Sequence, residues 1–167
     1  SNCIITGYKE GTMLDGTYQF NEGRNCGKLK FGTESNGGFK NVTITNCVLE
    51  NSEGLSFLSV DGAEMRNITV SNITMHNIHG GPIFMRLGAR LRGPEGTKVG
   101  TMKNITLSNI RATDVDATVA SSINAIPGHY IENVTLSNIS IEYRGGGAEQ
   151  WVNINPPERE SGYPDST

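Results

Sequence analysis

Eight side chains in this sequence could do chemistry together: Glu10, Asp15, Lys30, Glu34, Asp61, Arg86, Arg90 and His129. Carboxylates bond sugar hydroxyls or move protons, and arginine forks hold the carboxylates of acidic sugars, so such groups converging on a concave surface make a carbohydrate site. Arg86 is the most informative of them. It interrupts the apolar run Ile83-Phe84-Met85-Arg86-Leu87, and a charge at a strand position has to face a groove or a partner. The others also have a simpler reading. Glu10 and Asp15 flank Gly11 and Gly16 and suit turns, Glu34 sits in a Gly-rich turn, Asp61-Gly62 is an ordinary turn pair, and His129 follows Pro127-Gly128 in loop-like sequence. His76 and His79 read as surface or corner residues. The basic stretch Arg86, Arg90, Arg92 suits either uronate binding or a solvated loop.

The elements that must position these groups are written in a repeat. A six-residue phrase, Asn, Val/Ile, Thr, aliphatic, Ser/Thr, Asn, starts at Asn41, Asn67, Asn104 and Asn133, with steps of 26, 37 and 29 residues. Recurrence at this period points to stacked units, each burying its apolar face against its neighbours. Apolar and polar residues alternate strictly within the phrase, which is strand periodicity. The alternation restarts after the second Asn, as in Cys47 and Leu49 or Ile73 and Met75. Asn tolerates the left-handed conformation and bonds its own backbone, so each repeat reads as strand, Asn corner, strand. The phrases superpose into inward columns such as Val42, Ile68, Ile105, Val134 and Cys47, Ile73, Ile110, Ile139. A third wall lies between phrases, at Lys28 to Phe31, Leu55 to Leu58, Pro82 to Met85 and Ser121 to Asn124. Three short strands in a turn of about 25 residues describe a parallel β-helix. The eight side chains lie in or just after the third wall on successive turns, which predicts one shared groove.

Charged residues make up 19% of the 167, Gly is abundant with 21, and no stretch keeps a helical apolar stripe, so composition favours an all-β fold. A net charge of −3 supplies no electrostatic case for nucleic acid as partner, and no run of about 20 apolar residues spans a bilayer. Residues 1–150 are expected to form the β-helix, of about four to five coils, and residues 151–167 a polar tail or covering segment. Asn2-Cys3-Ile4-Ile5 matches the second half of the phrase, so the solenoid is expected to begin in mid-turn. Cys3 and Cys47 share one inward column and read as buried thiols, and the three cysteines have no zinc spacing. Six Asn-x-Ser/Thr triplets, at Asn41, Asn67, Asn72, Asn104, Asn133 and Asn138, look like glycosylation acceptors, yet the repeat itself generates them.

Several blocks carry a family resemblance. Phe31-Gly-Thr-Glu-Ser-Asn-Gly-Gly-Phe-Lys-Asn-Val42 with Thr43-Ile-Thr-Asn-Cys47, Tyr8 to Thr17, Pro82 to Gly88 and Ala125 to His129 resemble a bacterial branch of glycoside hydrolase family 28. The similarity runs from about Asn2 to Tyr143. It implies a right-handed parallel β-helix and hydrolysis of galacturonate-containing polysaccharide by an inverting enzyme. That chemistry uses one carboxylic acid to protonate the leaving oxygen and carboxylates to activate water across a gap. The family's Asn-Thr-Asp motif has no match in the 167 residues, and its Asp-Asp pair falls on Lys9 and Glu10. Glu10 keeps a carboxylate, as in rhamnogalacturonan-cleaving members, whereas Lys9 cannot act as a carboxylic acid. The Gly-His-Gly motif falls on Asn25-Cys26-Gly27, and the substrate-gripping Arg-Ile-Lys on Ser56-Phe57-Leu58.

The expectation is therefore a hydrolase of pectic, uronate- or rhamnose-containing polysaccharide with altered subsites. Glu10 and Asp15 are its catalytic candidates, and Lys30, Glu34, Asp61, Arg86, Arg90 and His129 its substrate-binding candidates. It would need no metal and no organic cofactor, act as a monomer, and sit outside the cell, in a periplasm or at a surface because its substrate is a polymer. The isolated 167 residues are expected to be inactive. A noncatalytic β-helical carbohydrate-binding or adhesin module is the alternative, suggested by the missing acid, His, Arg and Lys. A polysaccharide lyase ranks last, since it would want carboxylates clustered for calcium.

Overall fold

The computed structural model describes residues 1–7, 11–12, 19–20 and 28–151. The strands are β1 (Ile4–Thr6), β2 (Gly11–Thr12), β3 (Gln19–Phe20), β4 (Leu29–Phe31), β5 (Phe39–Ser52), β6 (Leu55–Ser59), β7 (Glu64–Ile78), β8 (Ile83–Leu87), β9 (Thr101–Val115), β10 (Ser122–Ala125) and β11 (Ile131–Tyr143). β2 and β3 pair antiparallel. The rest form two parallel sheets, ordered β1-β5-β7-β9-β11 and β10-β8-β6-β4. Chain that alternates between two parallel sheets, advancing one strand per circuit, is a parallel β-helix. Parallel crossovers are right-handed for steric reasons, and this solenoid is a right-handed parallel β-helix.

The expected columns are in register: Val42 pairs with Ile68, Ile68 with Ile105 and Ile105 with Val134, while Cys47, Ile73, Ile110 and Ile139 follow suit. Their side chains meet inside with those of the second sheet, where Phe57 stacks on Phe31 at 5.1 Å and Phe31 meets Phe39 edge-on at 5.3 Å. The third wall lies within a residue or two of its expected place, on β4, β6, β8 and β10.

Two features differ from the sequence reading. The repeat was expected to bend once, at its second Asn, but it bends at left-handed residues five apart: Asn41, Asn46 and Asn51, then Asn67, Asn72 and Asn77, then Asn104, Asn109 and Asp114. One left-handed residue redirects a strand without ending its ladder, so β5, β7, β9 and β11 each run 13–15 residues around the corners. Cys3, expected to be buried, is exposed while Cys47 is buried. Among the described residues β1 pairs with β5 alone, so there the apolar column has a described neighbour on one side.

The corner asparagines stack. Asn67 Nδ2 donates to Asn41 Oδ1 at 2.9 Å, Asn104 to Asn67 at 3.1 Å, and Asn133 to Asn104 at 3.1 Å; Asn72, Asn109 and Asn138 continue a second ladder from Asn46. The amide nitrogens of the glycosylation-like triplets, Asn41 apart, are thus ladder donors. Asn72→Ala removes the donor to Asn46 and the acceptor for Asn109, and forces a Cβ-bearing residue without a local hydrogen bond to φ 54°. It is expected to cost about 2 kcal/mol, and Asn72→Gly less, because glycine keeps the backbone conformation. Urea unfolding of the two variants checks the order.

Candidate functional site

The second sheet turns two rows of side chains outward. One is Lys30, Ser56, Phe84, Ser122; the other is Leu58, Arg86, Asn124, each residue beside its neighbour on the next coil. Strand alternation produces these rows, because Leu55, Phe57, Ile83 and Met85 occupy the inward positions. Lys30 is exposed. Arg86 is fully buried, at 0% exposure, and its Nη1 donates to Asn124 Oδ1 at 3.0 Å. A buried guanidinium demands such partners. Ser56 and Leu58 are buried as well, and Ser56 Oγ makes no hydrogen bond.

The edge that follows this sheet carries the other candidates. Asp61, only 2% exposed, accepts from Arg90 Nε at 3.0 Å and from the Arg92 backbone N–H at 3.0 Å, and its second oxygen pairs with Arg90 Nη2. The Arg90 and Leu91 amides also donate to Val60 O, so the segment after β8 is fastened to the turn after β6. Glu34 Oε1 lies 3.8 Å from Arg90 Nη2. The Arg90 hydrogen bond, helped by the Arg92 amide and both positive charges against the effect of burial, holds the Asp61 carboxyl below its usual range. Beside it is a cavity of about 220 Å³ whose wall includes Glu34, Asn36, Asp61 and Arg92.

His129 lines a different cavity, of about 190 Å³, with Lys103, Tyr130 and Glu132. The one groove expected from the sequence is therefore divided. Glu34, Asp61 and Arg90 are brought together, Arg86 lies buried on the sheet against Asn124, Lys30 stands exposed on β4, and His129 belongs to the next coil. Glu10 and Asp15, along with Lys9 and Cys26, lie outside the described residues. Among the described residues no group of three or more His, Cys, Asp or Glu is placed to hold a metal ion.

A family model, Glycosyl hydrolases family 28, matches residues 22–162. The chain belongs to that family. The match spans every coil that carries Glu34, Asp61, Arg86, Arg90 and His129. Comparison with curated proteins and with solved structures found no match. In this family 28 chain, Ser56 and Leu58 stand at the outward positions where the resemblance places Arg and Lys, and Arg86 is the strand neighbour of Leu58 one coil on. Sequence reasoning did not find Asn124 as the partner of Arg86, nor Asn36 and Arg92 beside Asp61. Asn124 could have been found by counting register along the third wall, since Leu58, Arg86 and Asn124 form one row. Arg92 could not, because its loop has no repeat partner.

Proposed function

We propose that this chain supplies coils of a family 28 hydrolase that binds and cleaves pectic polysaccharide containing uronate or rhamnose, outside the cell or at its surface. The observation that carries this reading is the family match across residues 22–162. Glu10 activates water or assists proton transfer, and the wall after β4, β6 and β8 contacts the glycan. The opposing carboxylates of an inverting mechanism come from an Asn-Thr-Asp coil that the 167 residues do not include. Cleavage is thus assigned to a polypeptide that also carries that coil.

Reducing sugars released from rhamnogalacturonan and polygalacturonate test this hypothesis. The 167 residues alone should release none; a polypeptide with the added coil should turn over, and Glu10→Gln should cut its rate by about 10²–10⁴ while glycan binding survives. Release by the 167 residues alone would sink the assignment. The replacement of the two cations by Ser56 and Leu58 favours one other reading, a noncatalytic carbohydrate-binding module; binding without turnover in either polypeptide would establish it.

A further inference from the structure

We propose that Tyr130 is a stacking platform for an uncharged pyranose ring, whose hydroxyls are bonded by His129, Lys103 and Glu132 on the corner beyond the third wall. The inference deepens the carbohydrate reading above and rests on it. Tyr130 is 73% exposed, at the end of the segment joining β10 to β11. A single exposed aromatic residue is unremarkable by itself. Ile4, Ile123 and Leu136 are exposed on β1, β10 and β11, the outermost strands of their sheets among the described residues. Tyr130 directly precedes β11 and shares that edge, but it also borders the cavity of about 190 Å³ that Lys103, His129 and Glu132 line, whereas Tyr143, 41% exposed on β11, borders a cavity with mostly Ala and Gly around it.

The chemistry of that set fits a sugar. The face of an aromatic ring is electron-rich and its body apolar, so it accepts the C–H face of a pyranose while the hydroxyls point to the rim. Lys103 offers only donors, Glu132 only acceptors and His129 one of either kind, which together match hydroxyl groups. Lys103 and Glu132 are direct strand partners of opposite charge. Their charges offset each other, leaving little surplus to recruit a uronate, and this selects a neutral ring.

Strand pairing and a turn hold the corner. Ile131, next to Tyr130, pairs with buried Met102, and the His129 amide donates to Ile126 O at 3.1 Å across the Pro127-Gly128 turn. Gly100 forms part of the cavity wall because its backbone lies against Ala63; a Cβ there would stand 2.1 Å from Ala63 O.

Calorimetric titration of the 167-residue protein with neutral galactose- and rhamnose-containing oligosaccharides, and with oligogalacturonate, tests the proposal. Neutral oligosaccharide should bind with an affinity that added salt leaves unchanged. Tyr130→Ala should weaken it about tenfold, or about 1.4 kcal/mol, with an unchanged melting temperature, and Tyr130→Phe should preserve it. No neutral binding, equal binding by Tyr130→Ala, or a salt-screened preference for oligogalacturonate overturns the proposal. Tyr130-dependent binding without turnover in the longer polypeptide would remove the hydrolase reading and keep this one. Turnover with binding indifferent to Tyr130 would do the reverse.

Discussion

Asp61→Ala is expected to lower the unfolding free energy by about 3 kcal/mol at neutral pH. Asp61 and Arg90 are 3% and 12% exposed as side chains, and removing one member of a buried pair takes from the other its nearest counter-charge, a loss of about 3–5 kcal/mol. Glu34, at 3.8 Å from Arg90, offsets some of it, which places the expectation at the lower end. The effect should depend on pH in a defined direction. The Asp61 carboxyl is more acidic folded than unfolded, so its contribution is complete above about pH 4 and is lost as pH falls through the depressed folded value. Urea midpoints of the protein and the variant should therefore converge in acid. Equal midpoints at neutral pH would mean that the loop after β8 is not held by this pair. Loss of the loop should also open the cavity beside Glu34 and Arg92.

Phe57→Ala is expected to destabilise by about 3–5 kcal/mol, the cost of a large cavity in a close-packed core. Phe57 has no exposed surface, and its ring lies on Phe31 at 5.1 Å with an interplanar angle of 13°. In a solenoid each coil is stabilised by the two it touches, so the gap weakens the contacts of β6 with both β4 and β8. The melting temperature should fall by roughly 10 °C, and Phe57→Leu should recover most of it by refilling volume. A fall of only a degree or two would show that the coil collapses into the space. Phe57 lies between Ser56 and Leu58, so the same variant should disturb the outward rows holding Lys30 and Arg86.

The architecture was legible because its code is local and repeated. Two-residue alternation assigns each side chain to a face, and asparagine marks a left-handed corner wherever it recurs. Val42, Ile68, Ile105 and Val134 could be aligned from spelling alone, since their strands pair in register whatever the loops between them do. The third corner was missed because Asn51, Asn77 and Asp114 lie outside the six-residue phrase and vary in type, although they fall five residues after the second Asn. Cys3 shares a column with Cys47 yet is exposed, because column position implies burial only where strands are described on both sides.

Pairings across coils were a different matter. Asp61 with Arg90 joins residues 29 apart through the segment after β8, whose length does not repeat. Alternation told that the chain builds a parallel β-helix and which residues face outward along its third wall, while its right hand was implied by the family resemblance. Which loop residues meet, which outward residues are buried, and which border an open cavity followed only once the coils were stacked. Register across a loop depends on the path of that loop, and an electrostatic pair forms only where two such paths bring opposite charges within bonding distance.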